Sequence, residues 1–500
     1  MADNTILFLF PDISHYSIHT GYFHYGLASI SAFLKEKMKC HIKLLHIKKD
    51  LKKADFLNKI AEISPQIAAF SSTTNSFPLV KKYSKWIKEF NSDILTICGG
   101  VHAVLCPEDV ILNSTLDIAI RGDGEYPMYA LAEEWFKNKR IVEHKGIWYR
   151  KNGNIVDGGC SIIEELDKLP YPDWDLFDYL NLSAPKQGQG GFMMSRGCPY
   201  KCSYCCNNKI KKIYRKEGGN YIRFKSPERA ISEIKAFIKK FSTIHTLYFE
   251  DDILPLNKEW FHKFTQMYKE NIGKPYWCNV RPNLINDDIA KALTDSGCVR
   301  VGIGIESGNE RIRNHILKRG LSDADIENAV TCLKKHNLYI YSFNMLGIPQ
   351  ETKNELLDTV KINGRLGINK IQATIFYPYP KTELHEFCVG ENLINNSKWL
   401  IEYLGDTILK FSFSQKNRII FTELMINPMC KLYPKLPEKT RNSFFYILYS
   451  DLTASTLLPF LNIFLKIMLK SRLLTKLFRV IYRKTITPLP KAGSFNLKEN

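Results

Sequence analysis

The strongest constraint on the fold is an alternation of short apolar runs with amphipathic segments, which occurs twice along the chain. The first stretch contains five runs typical of buried strands: TILFLF, HIKLLHI, QIAAFSS, DILTICGG and LDIAIRG. After the first run, Leu27, Ile30, Leu34 and Met38 recur at helical spacing. Strands that alternate with helices predict a doubly wound parallel sheet with ligands at the carboxyl ends of its strands.

The second alternation begins near residue 190 and contains six candidate strands. They are GGFMMSRG, TLYFEDD, YWCNVRP, VRVGIGIES, LYIYSFNMLGIP and IQATIFYPYP. Six strand–helix units are fewer than a closed eight-fold barrel needs, so they predict a partial β/α barrel. Between the two alternations, Asn152 and Gly153 predict a hairpin, and LPYPDWDLFDYL predicts a linker.

These patterns predict an α/β chain of four segments. They are a Rossmann-like sheet domain (1–140), a hairpin and linker (141–189), a partial barrel (190–385) and a helical, basic C-terminal region (386–500). With 45% hydrophobic residues, the chain is not of the disordered class. Its formal net charge of +19 favours anionic partners, whether nucleic acid, membrane or small acid.

The thirteen cysteines and the N-terminus bear on the cellular compartment. The N-terminus has no basic stretch followed by a long apolar run, so no secretory signal is predicted. No segment has 18 consecutive apolar residues, so no spanning helix is predicted. The expected compartment is the cytoplasm, where cysteines are free, metal-bound or catalytic.

The segment SRGCPYKCSYCCNN carries the sharpest chemical signal. It places Cys198, Cys202 and Cys205 at CxxxCxxC spacing on the loop after the first barrel strand, where barrel active sites lie. Three thiols could bind zinc, form a disulfide or hold an iron–sulfur cluster. Structural zinc usually takes four ligands in two pairs, and no second CxxC pair exists. Three thiolates suit three corners of a 4Fe-4S cluster.

The same loop, with Tyr204 before the last cysteine, closely resembles the cluster loop of radical S-adenosylmethionine enzymes. The resemblance implies that Cys198, Cys202 and Cys205 bind the cluster and that its fourth iron binds S-adenosylmethionine. Reductive cleavage of that cofactor yields a 5′-deoxyadenosyl radical, so an electron donor such as flavodoxin or ferredoxin is an expected partner. The adjacent Cys206 is predicted to be a packing residue.

Later segments resemble the same family and imply further cofactor contacts. Glu250 and Asp251, in YFEDDILPLN, correspond to an acidic segment near the methionine end of the cofactor. Arg281, in NVRP, is a predicted partner for its carboxylate, since Arg forms bidentate pairs. Glu306 and Ser307, in GIGIESGNERI, correspond to a segment near the ribose.

The N-terminal segment resembles the cobalamin-binding domain that precedes the barrel in one subfamily. GGVHAVLCPE, RGDGE and SSTTNS carry the resemblance, and they imply cobalamin contacts from Ser72, Thr73, Gly99, Gly100, Gly122 and Glu125. The D-x-H-x-x-G sequence of many such domains is absent. We therefore interpret His15, His19 and His24 as loop or solvated residues and not as cobalt ligands. A sheet without a cofactor is the alternative.

Together the two resemblances imply a cobalamin-dependent radical S-adenosylmethionine enzyme, a methyltransferase acting on an unactivated carbon. The alternatives are cyclisation or rearrangement without methyl transfer, as in the anaerobic cyclase of chlorophyll synthesis, and methylthio transfer. The last is disfavoured because Cys40, Cys98 and Cys106 are not spaced for a second cluster. A non-enzymatic sensor has no specific sequence support. The expected substrate is a small molecule, lipid or tetrapyrrole-like compound, with no nucleic acid.

The C-terminal segment LNIFLKIMLKSRLLTKLFRVIYRK combines apolar and basic residues at helical spacing. Residues 441–500 contain ten Lys or Arg and two acidic residues. A basic amphipathic helix either lies in an anionic membrane surface or packs its apolar face on the protein. The sequence leaves both possibilities open.

Overall fold

The computed structural model describes residues 4–13, 21–395 and 406–470. The N-terminal part is built on a seven-stranded sheet. Its strands are β1 (Thr5–Pro11), β2 (His41–Ile47), β3 (Ile67–Ser71), β4 (Leu95–Gly99), β5 (Ile118–Ile120), β6 (Ile147–Lys151) and β7 (Asn154–Val156). The order is β2-β1-β3-β4-β5-β6-β7, with β1–β5 parallel and the last two strands antiparallel. The predicted doubly wound sheet is confirmed.

Helices cover both faces of this sheet. They are α1 (Tyr25–Lys37), α2 (Lys53–Ile63), α3 (Phe77–Phe90), α4 (Val101–Leu105), α5 (Pro107–Leu112) and α6 (Glu125–Asn138). Helices α1 and α6 share one apolar core with the sheet, and α2, α3 and α5 share another. In α1, Leu27 and Leu34 are buried, while Ile30 and Met38 are half-buried.

The hairpin between β6 and β7 extends the sheet. Asn152 (φ +52°) and Gly153 (φ +81°) form its turn, as a two-residue hairpin requires. Strand β6 pairs with β5, so the sheet continues beyond residue 140 and the linker follows β7. The sheet therefore extends past the predicted boundary at residue 140, and the linker follows the hairpin in the predicted order.

The second part is an open barrel of parallel strands. The strands, in chain order, are β8 (Gln189–Phe192), β9 (Ser195–Arg196), β10 (Arg223–Phe224), β11 (Thr246–Phe249), β12 (Tyr276–Val280), β13 (Cys298–Glu306), β14 (Tyr339–Leu346) and β15 (Lys370–Ile375). Six of them form one sheet in the order β15-β14-β13-β12-β11-β8, while β9 and β10 form a separate antiparallel pair. The partial barrel is confirmed, and each of its six predicted strands is present.

Helices surround the barrel, and side chains alternate between them and the lumen. The helices are α7 (Cys206–Lys216), α8 (Pro227–Lys240), α9 (Lys258–Asn271), α10 (Asp287–Asp295), α11 (Asp323–Lys335), α12 (Lys353–Arg365) and α13 (Glu383–Gly390). In β13, Val301, Ile303 and Ile305 lie in the main apolar core. Because strand side chains alternate, Arg300 and Glu306 face the lumen.

Three further helices form the described C-terminal part: α14 (Phe413–Leu432), α15 (Glu438–Leu448) and α16 (Asp451–Lys470). Helix α14 covers the edge strand β15. The side-chain amide of Asn427 donates to Ile371 C=O (2.6 Å) and accepts from Ile371 N–H (2.9 Å), so it satisfies backbone groups that an edge leaves open.

Membrane-spanning potential is limited in the described residues. No single helix there is both long and apolar enough to span a bilayer. One pair, Glu438–Leu448 with Asp451–Leu465, meets the length and hydropathy criteria jointly but bends by 75°. The basic stretch beyond residue 470 lies outside the described residues.

Candidate active site at the junction of sheet and barrel

A cavity of about 280 Å³ lies where the sheet meets the barrel. Its walls come from the carboxyl ends of β3 and β4, the loop after β5, helix α1 and residues 193–196, which precede the cluster loop. Four of the predicted cobalamin contacts line it: Gly99, Gly100, Gly122 and Glu125. Ser72 and Thr73 are not among the lining residues, whereas their neighbour Ser71 is. A mainly apolar cavity at strand ends fits the nucleotide tail of a corrinoid.

The glycines at the end of β4 shape this cavity. A Cβ on Gly99 would meet only Phe70 O, at 4.0 Å, so Gly99 leaves space free. Gly100 has φ +89°, and a Cβ there would lie 2.6 Å from Ser72 O. Only glycine fits that turn, because it combines a positive φ with close backbone approach.

His24 lines the cavity and lies in the loop before α1, as one of its two predicted states, loop or solvated, requires. It is half-buried, and the loss of hydration lowers its pKa to about 4. Nδ1 accepts from Leu27 N–H (3.1 Å) and caps α1, while Nε2–H donates to Ser71 Oγ (2.9 Å). Both ring nitrogens are therefore engaged. His15 and His19 lie outside the described residues.

A buried ion network, which we call the clamp, joins the sheet domain to the barrel. It consists of Ser29, Asp123, Glu125, Arg196 and Arg223. Arg196 pairs with Asp123 (2.7 Å) and with Glu125 (2.7 Å), and Arg223 also pairs with Asp123. Ser29 Oγ donates to Glu125 (2.7 Å).

The clamp balances its charges and reaches the cluster loop. Burial opposes ionisation of Asp123, yet Arg196 and Arg223 outweigh it and hold its pKa below the ordinary value. Arg196 lies two residues before Cys198. Glu125 therefore both pairs with Arg196 and lines the cavity. The loop with the sequence RGDGE therefore holds in place the segment that leads into the cluster cysteines.

The cluster loop, residues 198–205, is anchored by its backbone. Ser203 N–H donates to Leu317 C=O (3.0 Å) and Ser203 C=O accepts from Leu384 N–H (2.9 Å). Cys202 is buried, Cys198 and Cys205 are half-buried, and Cys206 begins α7. All thirteen cysteines are free, so the disulfide alternative has no support.

Among the residues that the structure describes, no three His, Cys, Asp or Glu side chains lie close enough together to bind one metal ion. The three loop thiols lie within eight residues but are not gathered. Their assignment as cluster ligands therefore stays a prediction from the sequence.

Arg319, which the sequence analysis missed, is the central cation of the barrel mouth. It donates to Tyr204 Oη (2.6 Å), pairs with Glu306 (3.3 Å) and lies 4.0 Å from Cys202 Sγ. Its position in LKRGL, far from a strand end in sequence, gives no motif signal. The fold brings it beside three predicted site residues.

Arg281 lies next to Arg319, and burial together with repulsion from Arg319 lowers its pKa. Its guanidinium stacks over Tyr200, 3.6 Å from the ring centroid, and donates to Arg319 C=O. The Nε atoms of Arg281 and Arg319 are buried without a hydrogen-bond partner in the described part of the chain. Buried unpartnered donors beside thiols fit an anionic group, such as a thiolate-bound cluster or a cofactor carboxylate.

The acidic residues of the mouth differ in their surroundings. Burial, with repulsion from Asp251, raises the pKa of Glu250 to about 7. Asp251 accepts from Met194 N–H (3.1 Å) and Ser195 Oγ, so it ties the end of β11 to the segment that leads into the cluster loop. Glu306 adopts φ +66°, a strained value typical of functional sites.

Ser307 is fully buried just after β13. Its hydroxyl accepts from Asn309 N–H (3.2 Å), and its C=O accepts from Arg313. These contacts place Ser307 in the turn that supports Glu306. The ribose role of Ser307 remains a prediction from the sequence.

Two family models match this chain. The radical SAM superfamily matches residues 192–362, and the B12-binding domain matches residues 17–132. Together they cover more than half of the chain and coincide with the barrel and the sheet. The two matches account for a 4Fe-4S cluster, S-adenosylmethionine and cobalamin as cofactors.

Among curated relatives, an uncharacterised methyltransferase of Pyrococcus horikoshii is 28% identical, over 79% of this chain and 84% of the relative. The anaerobic magnesium-protoporphyrin IX monomethyl ester cyclase of Rubrivivax gelatinosus is 21% identical, over 74% of this chain and 63% of the relative. The first relative thus matches over most of its length.

Solved structures share the architecture. The radical S-adenosylmethionine methyltransferase TsrM from Kitasatospora setae, with cobalamin and a [4Fe-4S] cluster bound, has a TM-score of 0.63 at 15% identity, covering 78% of this chain and 76% of TsrM. The cobalamin-dependent enzyme OxsB has a TM-score of 0.65 at 14% identity, covering 97% and 75%. At this identity the likeness shows the fold. With both family models, it places the chain among the cobalamin-binding radical S-adenosylmethionine enzymes.

Proposed function

We propose that this enzyme transfers a methyl group to an unactivated carbon of a small-molecule substrate. The observation that carries the proposal is the continuity of the two sites. Arg196 lines the junction cavity and lies two residues before Cys198. Two residues span at most about 7 Å, so a corrinoid whose tail occupies the cavity would lie beside the cluster loop, where the radical would form.

The residues present suit the implied groups. Cys198, Cys202 and Cys205 are the proposed cluster ligands, and Arg281 and Arg319 offset their negative charge. When bound, the cluster supplies the electron that cleaves S-adenosylmethionine, and cobalamin supplies the methyl group. Ser71 with Gly99 and Gly100 provides a small-residue wall for the corrinoid tail.

Two further roles of the protein follow from the described contacts. Asp251 and the clamp hold residues 194–196, which lead into the cluster loop. The mainly apolar lining of the cavity would shield the corrinoid tail from water. We also propose flavodoxin or ferredoxin as the electron donor.

The test is anaerobic reconstitution of the full chain with iron, sulfide, cobalamin and S-adenosylmethionine. We expect a corrinoid spectrum, 5′-deoxyadenosine and S-adenosylhomocysteine. Replacement of all three loop cysteines by Ala should abolish iron binding and 5′-deoxyadenosine, while Cys206→Ala, the matched control, should retain both. A triple variant with a full cluster would refute the ligand assignment.

A second candidate function is cyclisation or rearrangement, favoured by the similarity to the anaerobic cyclase of Rubrivivax gelatinosus. Methyl-deuterated S-adenosylmethionine separates the two in a screen of lipids, tetrapyrroles and peptides. Deuterium in the product supports methyl transfer. A product without deuterium, formed with stoichiometric 5′-deoxyadenosine, supports cyclisation.

We further propose that the C-terminal region contacts an anionic membrane surface. Helices α15 and α16 expose large apolar side chains: Tyr446, Ile447, Leu452, Leu457, Phe460, Ile463 and Phe464. The opposite face of α16, with Ala454 and Leu458, packs inward. A basic stretch follows in the sequence. Apolar residues beside positive charge favour an interface position.

Co-sedimentation with vesicles tests this proposal. Full chain, a chain ending at residue 465 and the variant Phe460→Ser are compared on anionic and neutral vesicles at two salt concentrations. Docking predicts salt-sensitive binding to anionic vesicles that both changes weaken. Equal binding by all three proteins would contradict it.

A further inference from the structure

The lower part of the barrel lumen contains two cations without a carboxylate partner. Arg300, near the start of β13, stacks over Trp277 (4.2 Å to the ring) and lies 5.7 Å from the ring of Tyr341. Lys370, the first residue of β15, lies 5.3 Å from the same Tyr341 ring. We call Arg300 and Lys370 the lumen cation pair.

Neither cation forms an ion pair with any described residue. The pKa of Arg300 depends on its burial and on two tyrosines and a cysteine nearby. The pKa of Lys370 depends on its burial and on Arg300. Burial lowers the pKa of each cation below its ordinary value, and repulsion from Arg300 lowers the pKa of Lys370 further. Stacking on aromatic rings offsets part of this cost.

A hydrogen-bonding group in the same layer also lacks a partner. Trp277 lies opposite Arg300 on the neighbouring strand, and its Nε1 is buried without a hydrogen bond within the described ranges. Buried polar groups normally have partners, so exceptions often mark a ligand. The donors here, an indole N–H, a guanidinium and an ammonium, together suit acceptor oxygens with negative charge.

The lumen also presents apolar surface beside the cations. Tyr248 stacks on Trp277 (5.0 Å between centroids), and Phe343 crosses β13 where Gly302 leaves room for its ring. Lys370 and Gln372 are exposed, so this end of the lumen is open to solvent. A ligand can therefore reach the cations from outside.

We propose that the lumen cation pair binds an anionic group, carboxylate or phosphate, at one end of an elongated substrate with an apolar body. This inference rests on the proposed function, whose substrate class it narrows. Arg300 and Glu306 lie six residues apart on β13, about 20 Å along the strand. A substrate held at Arg300 that reacts at the barrel mouth must span much of that length.

The test is equilibrium binding of octanoate, octyl phosphate and neutral octanamide to the reconstituted full chain. The variants are Arg300→Gln, Arg300→Lys and Lys370→Gln. The matched control is Arg365→Gln, an arginine of α12 that is exposed and paired with Glu327 (2.6 Å). Octanoate and octyl phosphate show which anion the site prefers.

We expect both anions to bind the wild type more tightly than octanamide. Arg300→Gln should weaken anion binding about tenfold, since hydrogen bonds to charged groups are strong. Lys370→Gln should weaken it about threefold because Lys370 is exposed. Arg300→Lys should restore part of the affinity, and Arg365→Gln should change nothing.

Two outcomes would overturn the inference. One is equal affinity of wild type and Arg300→Gln for both anions. The other is a lower melting temperature of Arg300→Gln with unchanged affinity, which would make Arg300 a structural brace for Trp277. Iron content and 5′-deoxyadenosine are measured on the wild type in parallel. Their absence would contradict the proposed function and leave the binding result intact.

Discussion

The clamp and the barrel mouth are both buried clusters of charged side chains, and they differ in how far positive and negative charges are paired. The clamp sets Asp123 and Glu125 against Arg196 and Arg223. In the mouth, Arg319 pairs with Glu306, whereas Arg281 forms no ion pair with a described residue. The clamp therefore pairs all its charges without a cofactor, whereas the mouth leaves one arginine without an ionic partner.

This difference separates a structural role from a cofactor role. A balanced buried network positions its elements, and removing one member leaves the others uncompensated. An unbalanced one gains from an anionic ligand, because the ligand supplies the missing partner. We therefore expect clamp variants to lose mainly stability and mouth variants to lose mainly cofactor chemistry.

The largest effect is expected at the clamp. Asp123→Ala leaves Arg196 and Arg223 buried without their shared partner, so the free energy of unfolding should fall by about 3–5 kcal/mol. Denaturant unfolding of the apo-protein measures it. Glu143→Gln, which removes an exposed pair with Lys151 (3.5 Å), is the control and should change stability by less than about 1 kcal/mol. Similar losses in both variants would mean that the clamp stabilises the fold no more than an exposed ion pair does.

The next effect is a pH dependence from Glu250. Its folded-state pKa of about 7 lies above the ordinary value of 4.5. The folded protein therefore binds this proton more tightly, and stability falls as pH rises from 4.5 through 7. The loss is about 3 kcal/mol for a shift of this size. Glu250→Gln should remove that part of the pH dependence, measured by unfolding between pH 5 and 8. Parallel curves for wild type and variant would contradict the assignment.

A smaller loss of stability is expected at the mouth. Arg281→Met keeps most of the side-chain volume and removes a cation that is already partly unpartnered. We expect unfolding free energy to fall by only about 1–2 kcal/mol, and 5′-deoxyadenosine formation to fall at least about tenfold. Unfolding and single-turnover cleavage assays measure the two. If the variant cleaves S-adenosylmethionine at the wild-type rate, Arg281 has no cofactor role, and the mouth does not differ from the clamp in this respect.

The smallest effect is expected at the barrel edge, away from both clusters. Asn427→Leu removes the amide that pairs with Ile371 N–H and C=O. These groups lie at a partly exposed edge, so a loss of about 1 kcal/mol is expected. Thermal unfolding measures it, and 5′-deoxyadenosine formation should be unchanged. A fall in cleavage would show that α14 affects the mouth.

Much of the fold could be predicted from the sequence. The alternation of apolar runs identified eleven parallel strands, and Asn152-Gly153 identified a turn that needs positive φ. The pattern could not show that the hairpin belongs to the N-terminal sheet. That follows from the pairing of β6 with β5, a contact between segments distant in sequence. His24 likewise resembled a loop or solvated residue until its cap on α1 and its contact with Ser71 were seen.

The sequence by itself determined the two domain types and the chemistry of the cysteine loop, because strand periodicity and close cysteine spacing are local properties. Only the tertiary structure decided which charges meet. Arg319 lies more than a hundred residues from Cys202, and Asp123 lies 73 residues from Arg196. Such pairs form because strands from different parts of the chain end at one edge, where side chains share a buried environment and each charge depends on its spatial neighbours.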